Sequence, residues 1–347
     1  MPRSIDKVLP TQMSATDFLR IFSQLPEASA TTRQSFLARD KVLTKPPGSL
    51  GRLEVLAQWI TEWQSDYPPR ADRILTLVFA GNHGVVAQGV AAYPQAVTSQ
   101  MVANFQSGGA AINQICAANG IELIVVPLEL DVPTADFTQK PAMDVEAFDN
   151  ALTAGWNAVP DGIDLLCIGE MGIGNTTVAA ALCAALFGGE AAHWVGPGTG
   201  VDAAGIARKA EAVSRGLSRH QNAMTSPLEI LRHVGGRELV AMFSAIIAAR
   251  SKKIPVLVDG YVASASAAVA FAIDPKSLDH CQIAHCSAEP AHRTLIQKLG
   301  KVPILDLGMR LGEASGAALV AQIVRTAVRL HNGMATFDAA GVSNKAD

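Results

Sequence analysis

Apolar residues are spaced in two ways along this chain. In the first they recur every three or four positions. After Ser49, the residues Leu50, Leu53, Leu56, Ile60 and Trp63 fall on one face, which predicts an amphipathic helix with Ser49 as its N-cap. In the second they form solid runs of strand length, the pattern of strands buried on both faces. Such runs occupy residues 73–80, 121–126, the stretch opening at Asp164, 254–258, 281–285 and 302–306. Helical patterns lie between them, at about 94–118, 178–187, 237–250 and 261–273. Strands alternating with helices imply right-handed crossovers and a parallel sheet. Residues 1 to about 66 read as helical, with a rigid turn at Thr44-Lys45-Pro46-Pro47-Gly48 and a boundary at Tyr67-Pro68-Pro69. A last helix is expected from about 314 to 330, with a frayed end beyond it. The predicted architecture is α/β: a Rossmann-like parallel sheet with helices on both faces, spanning 67–309, plus a small helical domain built from segments 1–66 and 310–347.

The stretch Asp164-Leu-Leu-Cys-Ile-Gly-Glu-Met-Gly-Ile-Gly-Asn-Thr-Thr177 organises this pattern. A buried strand breaks at Gly172 and Gly174, and a helix follows. Strand, glycine loop and helix together turn bare backbone N–H groups towards an anion. Thr176 or Thr177 is positioned to cap the helix and to offer a hydroxyl to phosphate, and Glu170 falls at the carboxyl end of the strand, where open α/β sheets bind ligands. The competing reading is an ordinary glycine turn of an α/β protein. Thr177 stands where a dinucleotide fingerprint needs its third glycine, and no Gly-Lys-Ser/Thr follows, so the pattern argues against NAD and ATP and leaves a mononucleotide phosphate open.

Composition narrows the function. Of 347 residues, 49% are hydrophobic and 17% charged, with a formal net charge of −3. Lys and Arg are not clustered, which disfavours nucleic acid as a partner. Five scattered cysteines point to free thiols in a reducing, cytoplasmic setting. No signal-peptide h-region is visible at the N-terminus and no apolar run reaches the roughly 18 residues that span a bilayer, so no membrane association is expected.

Two further residues carry candidate chemistry. Glu313 follows Gly312 and precedes Ala314-Ser315-Gly316-Ala317-Ala318, a run with almost no side-chain bulk. A carboxylate in so apolar a setting is desolvated towards the pKa of a general base; the alternative is a helix N-terminal glutamate favoured by the macrodipole. Glu170 presents the same choice. Lys209, after the glycine loop Gly196-Pro197-Gly198-Thr199-Gly200, is either a phosphate counter-charge or part of a solvated helix face. His83, His285 and His292 read as core or hydrogen-bonded histidines. Cys281 and Cys286, oddly spaced on a strand, should point to opposite faces, and no metal-ligand or G-x-S-x-G motif is found.

Several longer motifs occur in order: Lys45-Pro-Pro-Gly-Ser-Leu-Gly-Arg-Leu-Glu54, Asn82-His-Gly-Val85, Gly169-Glu-Met-Gly-Ile-Gly-Asn-Thr-Thr177, Val256-Leu-Val-Asp-Gly260, His285-Cys-Ser-Ala-Glu289 and Met309-Arg-Leu-Gly-Glu-Ala-Ser-Gly-Ala-Ala318. From about Lys45 to Leu330 the chain resembles the nicotinate-nucleotide–dimethylbenzimidazole phosphoribosyltransferase family. The resemblance implies transfer of phosphoribose from nicotinate mononucleotide to 5,6-dimethylbenzimidazole, giving α-ribazole 5′-phosphate and nicotinate in cobalamin lower-ligand synthesis. It implies Glu313 as general base and Glu170 as a second active-site acid. Gly172, Gly174, Asn175, Thr176 and Lys209 then bind the phosphate, Gly198, Gly200 and Ser287 line the nucleotide site, and Tyr93, Met101, Met171 and Leu311 surround the acceptor. It implies no cofactor and no metal, because a pyridinium already leaves readily, and a homodimeric enzyme. Asn82 stands where the family more often has Asp. Two other readings stay open: another acceptor, such as a different base or a phenol, or a non-catalytic nucleotide-binding protein.

Overall fold

In the computed structural model, residues 13–343 are described. The readings for the first twelve residues and the last four lie outside them. The chain runs α1 (Ala15–Phe22), α2 (Ala30–Asp40), α3 (Arg52–Gln64), β1 (Ile74–Ala80), α4 (Ala96–Gln106), α5 (Ala111–Asn119), β2 (Glu122–Pro127), α6 (Val145–Asn157) and β3 (Leu165–Met171). It continues through α7 (Asn175–Phe187), α8 (Ala203–His220), α9 (Pro227–Val234), α10 (Arg237–Ser251), β4 (Val256–Val258), α11 (Tyr261–Ile273), β5 (Cys281–Ile283), α12 (Pro290–Lys298), α13 (Ser315–Gly333) and α14 (Phe337–Ala340). The five strands form one parallel sheet in the order β2-β1-β3-β4-β5. The direction of winding reverses between β1 and β3. Loops leaving the carboxyl ends of those two strands therefore diverge and open a crevice, the place where such sheets bind ligands.

Strand periodicity divides the core in two. Leu75, Leu77, Phe79, Leu166 and Ile168 point to one face, against an apolar cluster that includes α6, α7, α10 and α11. Ile74, Val78, Leu165 and Cys167 point to the other, where Leu56 and Ile60 of α3, Ile112 and Cys116 of α5, and Val320 and Val324 of α13 pack. Helices from both chain ends thus share one core with the sheet. β2 is an edge strand and only half-buried.

The structure differs from the sequence expectation in local ways. α3 begins at Arg52, with Gly51 (φ 55°) at its N-cap, so Ser49 caps nothing and Leu50 lies outside the helix. The turn before it is tied instead by Lys45, whose buried Nζ lies 2.9 Å from both Asp40 and Glu54. The helix expected over 94–118 is two helices, broken where Gly108 adopts φ 81° and the Asn113 side chain accepts the Ala110 N–H at 3.0 Å. The run 302–306 forms no strand. It runs beside the end of β5 through Ile304 N to Ile283 O at 3.1 Å, Leu305 N to Ala284 O at 2.9 Å and Cys286 N to Leu305 O at 2.8 Å, which amounts to an isolated bridge between Leu305 and His285, and Pro303 has no N–H to extend the ladder. As far as residue 343 the expected fraying is not seen, since α14 follows and Phe337 N donates to Val42 O at 3.0 Å. Cys286 lies beyond β5, so its expected opposition to Cys281 on one strand does not arise; both are buried free thiols.

α6 meets α10 at close range because Gly155 has no side chain: a Cβ there would stand 2.1 Å from Ala241 O. Gly155→Ala is expected to lose about 1–3 kcal/mol of stability through this overlap, read as a lower denaturant midpoint at unchanged slope. An unchanged midpoint would show that the two helices can separate freely.

Candidate active site

The site begins where β3 runs out. Its last residues, Gly169-Glu170-Met171, are followed by Gly172-Ile173-Gly174, and α7 starts at Asn175. Gly174, at φ 92°, is the N-cap, which a Cβ would drive into Val86 at 2.7 Å. No side chain caps this helix. Thr176 and Thr177 already lie inside it, too late in the turn to cap, so that expectation is corrected. The Glu170 carboxylate reaches across the loop and accepts the Asn175 side-chain amide. Burial, reinforced by the nearby charges of Glu238 and Asp259, pushes the Glu170 carboxyl up to about 8. At neutral pH it is a neutral acid that can donate a hydrogen bond.

Lys209 is buried, 2% exposed, which removes the solvated-face reading. Its Nζ donates to Thr176 Oγ1 at 2.9 Å and Gly196 O at 3.0 Å. Burial lowers its pKa to about 8, with Glu289 opposing the shift. Because Thr176 Oγ1 accepts from the ammonium, its own proton is free for the crevice. Gly198 (φ 55°) makes this approach possible, as a Cβ there would lie 2.8 Å from both Lys209 Nζ and Thr176 Oγ1.

Glu313 lies in the turn before α13. Gly312, Glu313 and Ala314 have φ of 81°, 62° and 59°. Two consecutive left-handed residues that are not glycine are strained by about 1–3 kcal/mol each, strain that persists only where packing enforces it. Enforcement comes from β3: Glu313 N donates to Glu170 O at 3.0 Å, and Gly169 leaves room where a Cβ would meet Ala314 N at 2.3 Å. The Glu313 side chain is buried and its Oε2 has no hydrogen-bond partner. Burial raises its pKa, the Asp259 charge adds to this, and the Ile112 backbone N–H pulls it partly back.

Two adjoining cavities meet here. One, of about 550 Å³, is lined by Tyr93, Val97, Met101, Met171, Ile173, Thr199, Arg310, Leu311 and Glu313. All four residues expected around the acceptor are thus gathered against Glu313. The other is a narrow recess of about 70 Å³ bounded by Glu170, Gly172, Asn175, Thr176, Gly198, Ser287 and Glu289, among others. Met171, Ile173, Thr199, Arg310 and Leu311 border both. Gly174 stands one position back from the recess as the helix cap, and Lys209 lies behind Thr176. Gly200 is exposed and lines neither cavity.

Sequence reasoning assigned no role to Arg310 or Glu289. Arg310 sits on the partition between the cavities and donates to Gly198 O at 2.8 Å. Glu289 is buried with Oε1 unpartnered, and burial raises its pKa. Both lie inside motifs already visible in the chain, but nothing in their spacing distinguishes them from surface charges. The three histidines are buried. His83 Nε2 lies 2.7 Å from Glu238 Oε1 without hydrogen-bond alignment, and His292 Nε2 lies 2.9 Å from Ser264 Oγ. His285 borders the recess. Among the described residues, no group of three or more His, Cys, Asp and Glu side chains is arranged to hold a metal ion, and no helix is long and apolar enough to cross a membrane.

The family model described as phosphoribosyltransferase, DBI_PRT, matches residues 25–342. The chain belongs to this family. Among its relatives, the nicotinate-nucleotide–dimethylbenzimidazole phosphoribosyltransferase of Methylorubrum extorquens is 56% identical over 319 residues, 92% of each chain. The same-named enzyme of Mesorhizobium japonicum is 56% identical over 321 residues, 92% of this chain and 96% of that one. A crystal structure of the Thermus thermophilus phosphoribosyltransferase of that name superposes with a TM-score of 0.84 at 40% identity, covering 91% of this chain and all of the other. The parallel α/β fold is therefore that of phosphoribosyltransferases solved by experiment.

For a carboxyl held at about 8 when folded but at about 4.5 when unfolded, the native state binds the extra proton, so stability falls as pH rises through that window. Glu170→Gln removes the effect. The variant is expected to gain on the parent by about several degrees in Tm between pH 5 and pH 8. A difference that stays constant across this range would overturn the assignment of Glu170 as a neutral acid.

Proposed function

We propose that this phosphoribosyltransferase moves phosphoribose from nicotinate mononucleotide to 5,6-dimethylbenzimidazole, releasing nicotinate and forming α-ribazole 5′-phosphate. The observation that carries the reading is Glu313: a buried carboxylate with one free oxygen, facing an apolar cavity of heterocycle size beside an anion-binding turn. The names of close relatives support the same substrates.

In this reading the 5′-phosphate occupies the recess at the start of α7. Thr176 and the Gly172–Asn175 turn hold it, and Lys209 supplies charge from behind. Gly198 and Ser287 flank the nucleotide, and Gly200 contributes through the course of its loop. Tyr93, Met101, Met171 and Leu311 sandwich the benzimidazole. One ring nitrogen attacks the anomeric carbon from the face opposite nicotinate, while Glu313 takes the proton from the other. The C–N bond to nicotinate breaks, its electron pair returns to the pyridinium nitrogen, and the configuration inverts. Neutral Glu170 donates a hydrogen bond to the sugar. The catalyst's contribution is orientation plus one proton transfer.

The reading extends to a cytoplasmic homodimer. Five buried free thiols support the compartment, and the family likeness supports the dimer, which sedimentation would test.

Incubation with nicotinate mononucleotide and dimethylbenzimidazole should yield nicotinate and α-ribazole 5′-phosphate by mass. Absence of both products from folded protein refutes the activity, and turnover only of another base or a phenol would change the acceptor. Glu313→Ala should lower kcat by about 10²–10⁴-fold while mononucleotide still binds, and a parental rate would remove Glu313 as the base. Lys209→Ala should chiefly raise KM for the mononucleotide. An effect confined to the acceptor would relocate the phosphate.

A further inference from the structure

Asp259 closes β4 and is 1% exposed, yet the reaction as written gives it no part. Its Oδ1 accepts the Ala317 N–H at 2.9 Å, and the Gly316 and Ala314 N–H groups also turn towards the carboxylate. These are the first amides of α13, the helix whose entry turn carries Glu313. Four bonds pin this entry: Glu313 N to Glu170 O at 3.0 Å, Ser315 N and Oγ to Gly312 O at 3.0 and 2.7 Å, and Ala317 N to Asp259. Of the four, only the last is made to a carboxylate.

We propose that Asp259 is a positioning residue: by gathering the first amides of α13 it clamps the left-handed turn from which Glu313 reaches the acceptor cavity. The clamp is braced from its other side. His285 Nε2 lies 3.5 Å from Asp259 Oδ1, and a Cβ on Gly316 would overlap His285 Cδ2 at 2.1 Å, so the imidazole is wedged against the same helix turn. Asp259 N donates in turn to Ile168 O at 3.1 Å, which fixes the clamp to β3 beside Glu170. Burial raises the Asp259 pKa, while His285 and the Ala317, Gly316 and Ala314 N–H groups pull it back, so these amides favour the acceptor-only ionised form that they need.

The clamp has an electrostatic consequence. The titratable groups facing Asp259 are Cys167 and Glu170 on β3, Glu313 before α13 and His285 after β5; Glu238 on α10 faces Glu170 in turn. A carboxylate beside Glu313 and Glu170 disfavours their ionisation, so the residue that orients the base also raises its pKa.

This inference rests on the reading of Glu313 as general base, and its test separates the two. Asp259→Asn keeps the shape and an acceptor oxygen but loses the charge; Asp259→Ala loses both. The Asn variant should turn over about tenfold more slowly, with KM for nicotinate mononucleotide within about twofold of the parent and the acid limb of the kcat/KM profile moved to lower pH. The Ala variant should lose about 100-fold and shed amide-exchange protection at Ser315–Ala318. If the Ala variant does not fold, the Asn variant decides. A folded Asn variant with parental kcat and an unmoved acid limb overturns the proposal. So does one in which kcat falls only alongside a matching rise in mononucleotide KM, because that marks general loosening. If the parent forms no product at all, the functional reading fails instead, and exchange protection in Asp259→Asn alone still tests the clamp.

Discussion

The contact on which the site depends is the approach of Ala314 to Gly169. Backbone touches backbone there, with no side chain between, and the Glu313 N–H closes onto Glu170 O at 3.0 Å. That single junction joins the end of a central strand to the start of a helix more than 140 positions later. It sets the two acids side by side, one on each partner of the contact. A methyl group at position 169 would part them, which is why a glycine interrupts an otherwise solid apolar strand.

The junction works because the sheet is parallel and buried on both faces. All strands discharge their loops at one edge, and the reversal between β1 and β3 keeps that edge open. Apolar helices on both sides keep water away from the strand ends. Carboxyl groups brought there cannot all stay ionised, so Glu170, Asp259, Glu289 and Glu313 are each pushed above the ordinary range by burial. Lys209 is pushed the other way for the same reason. A fold that dries its own strand ends therefore gathers carboxyls shifted up and an ammonium shifted down at one spot, the kind of cluster in which functional sites are found.

Strain and satisfaction are balanced over the same few residues. The left-handed turn at Glu313 and Ala314 is unfavourable by itself, and the free Oε2 of Glu313 is a buried oxygen without a partner. Both are tolerated because the turn is anchored through bonds to Glu170, Ser315 and Asp259. Local disorder in such a turn would let the carboxylate reach water and relax, so the anchoring keeps the Glu313 carboxyl buried at the cavity wall.

What could be read from the residues alone was whatever depends on near neighbours in the chain. Solid apolar runs declared the five strands of a parallel sheet, and the spacing of Gly172 and Gly174 declared the turn between β3 and α7. The small residues after Glu313 marked a place of close approach. Helix ends were read less well: Ser49 looked like a cap although the chain turns at Gly51, and Gly108 split one expected helix into two. Whether Lys209 is buried could not be read from its spacing, since the helical spacing of a solvated lysine and of a buried one is the same. Only folding decided it, by laying the Gly196–Gly200 loop and Thr176 over the ammonium. Arg310 on the partition and Asp259 under the helix start stayed silent for the same reason. Periodicity along a chain records which face a residue is on, whereas charge state and partner depend on what distant segments bring to that face.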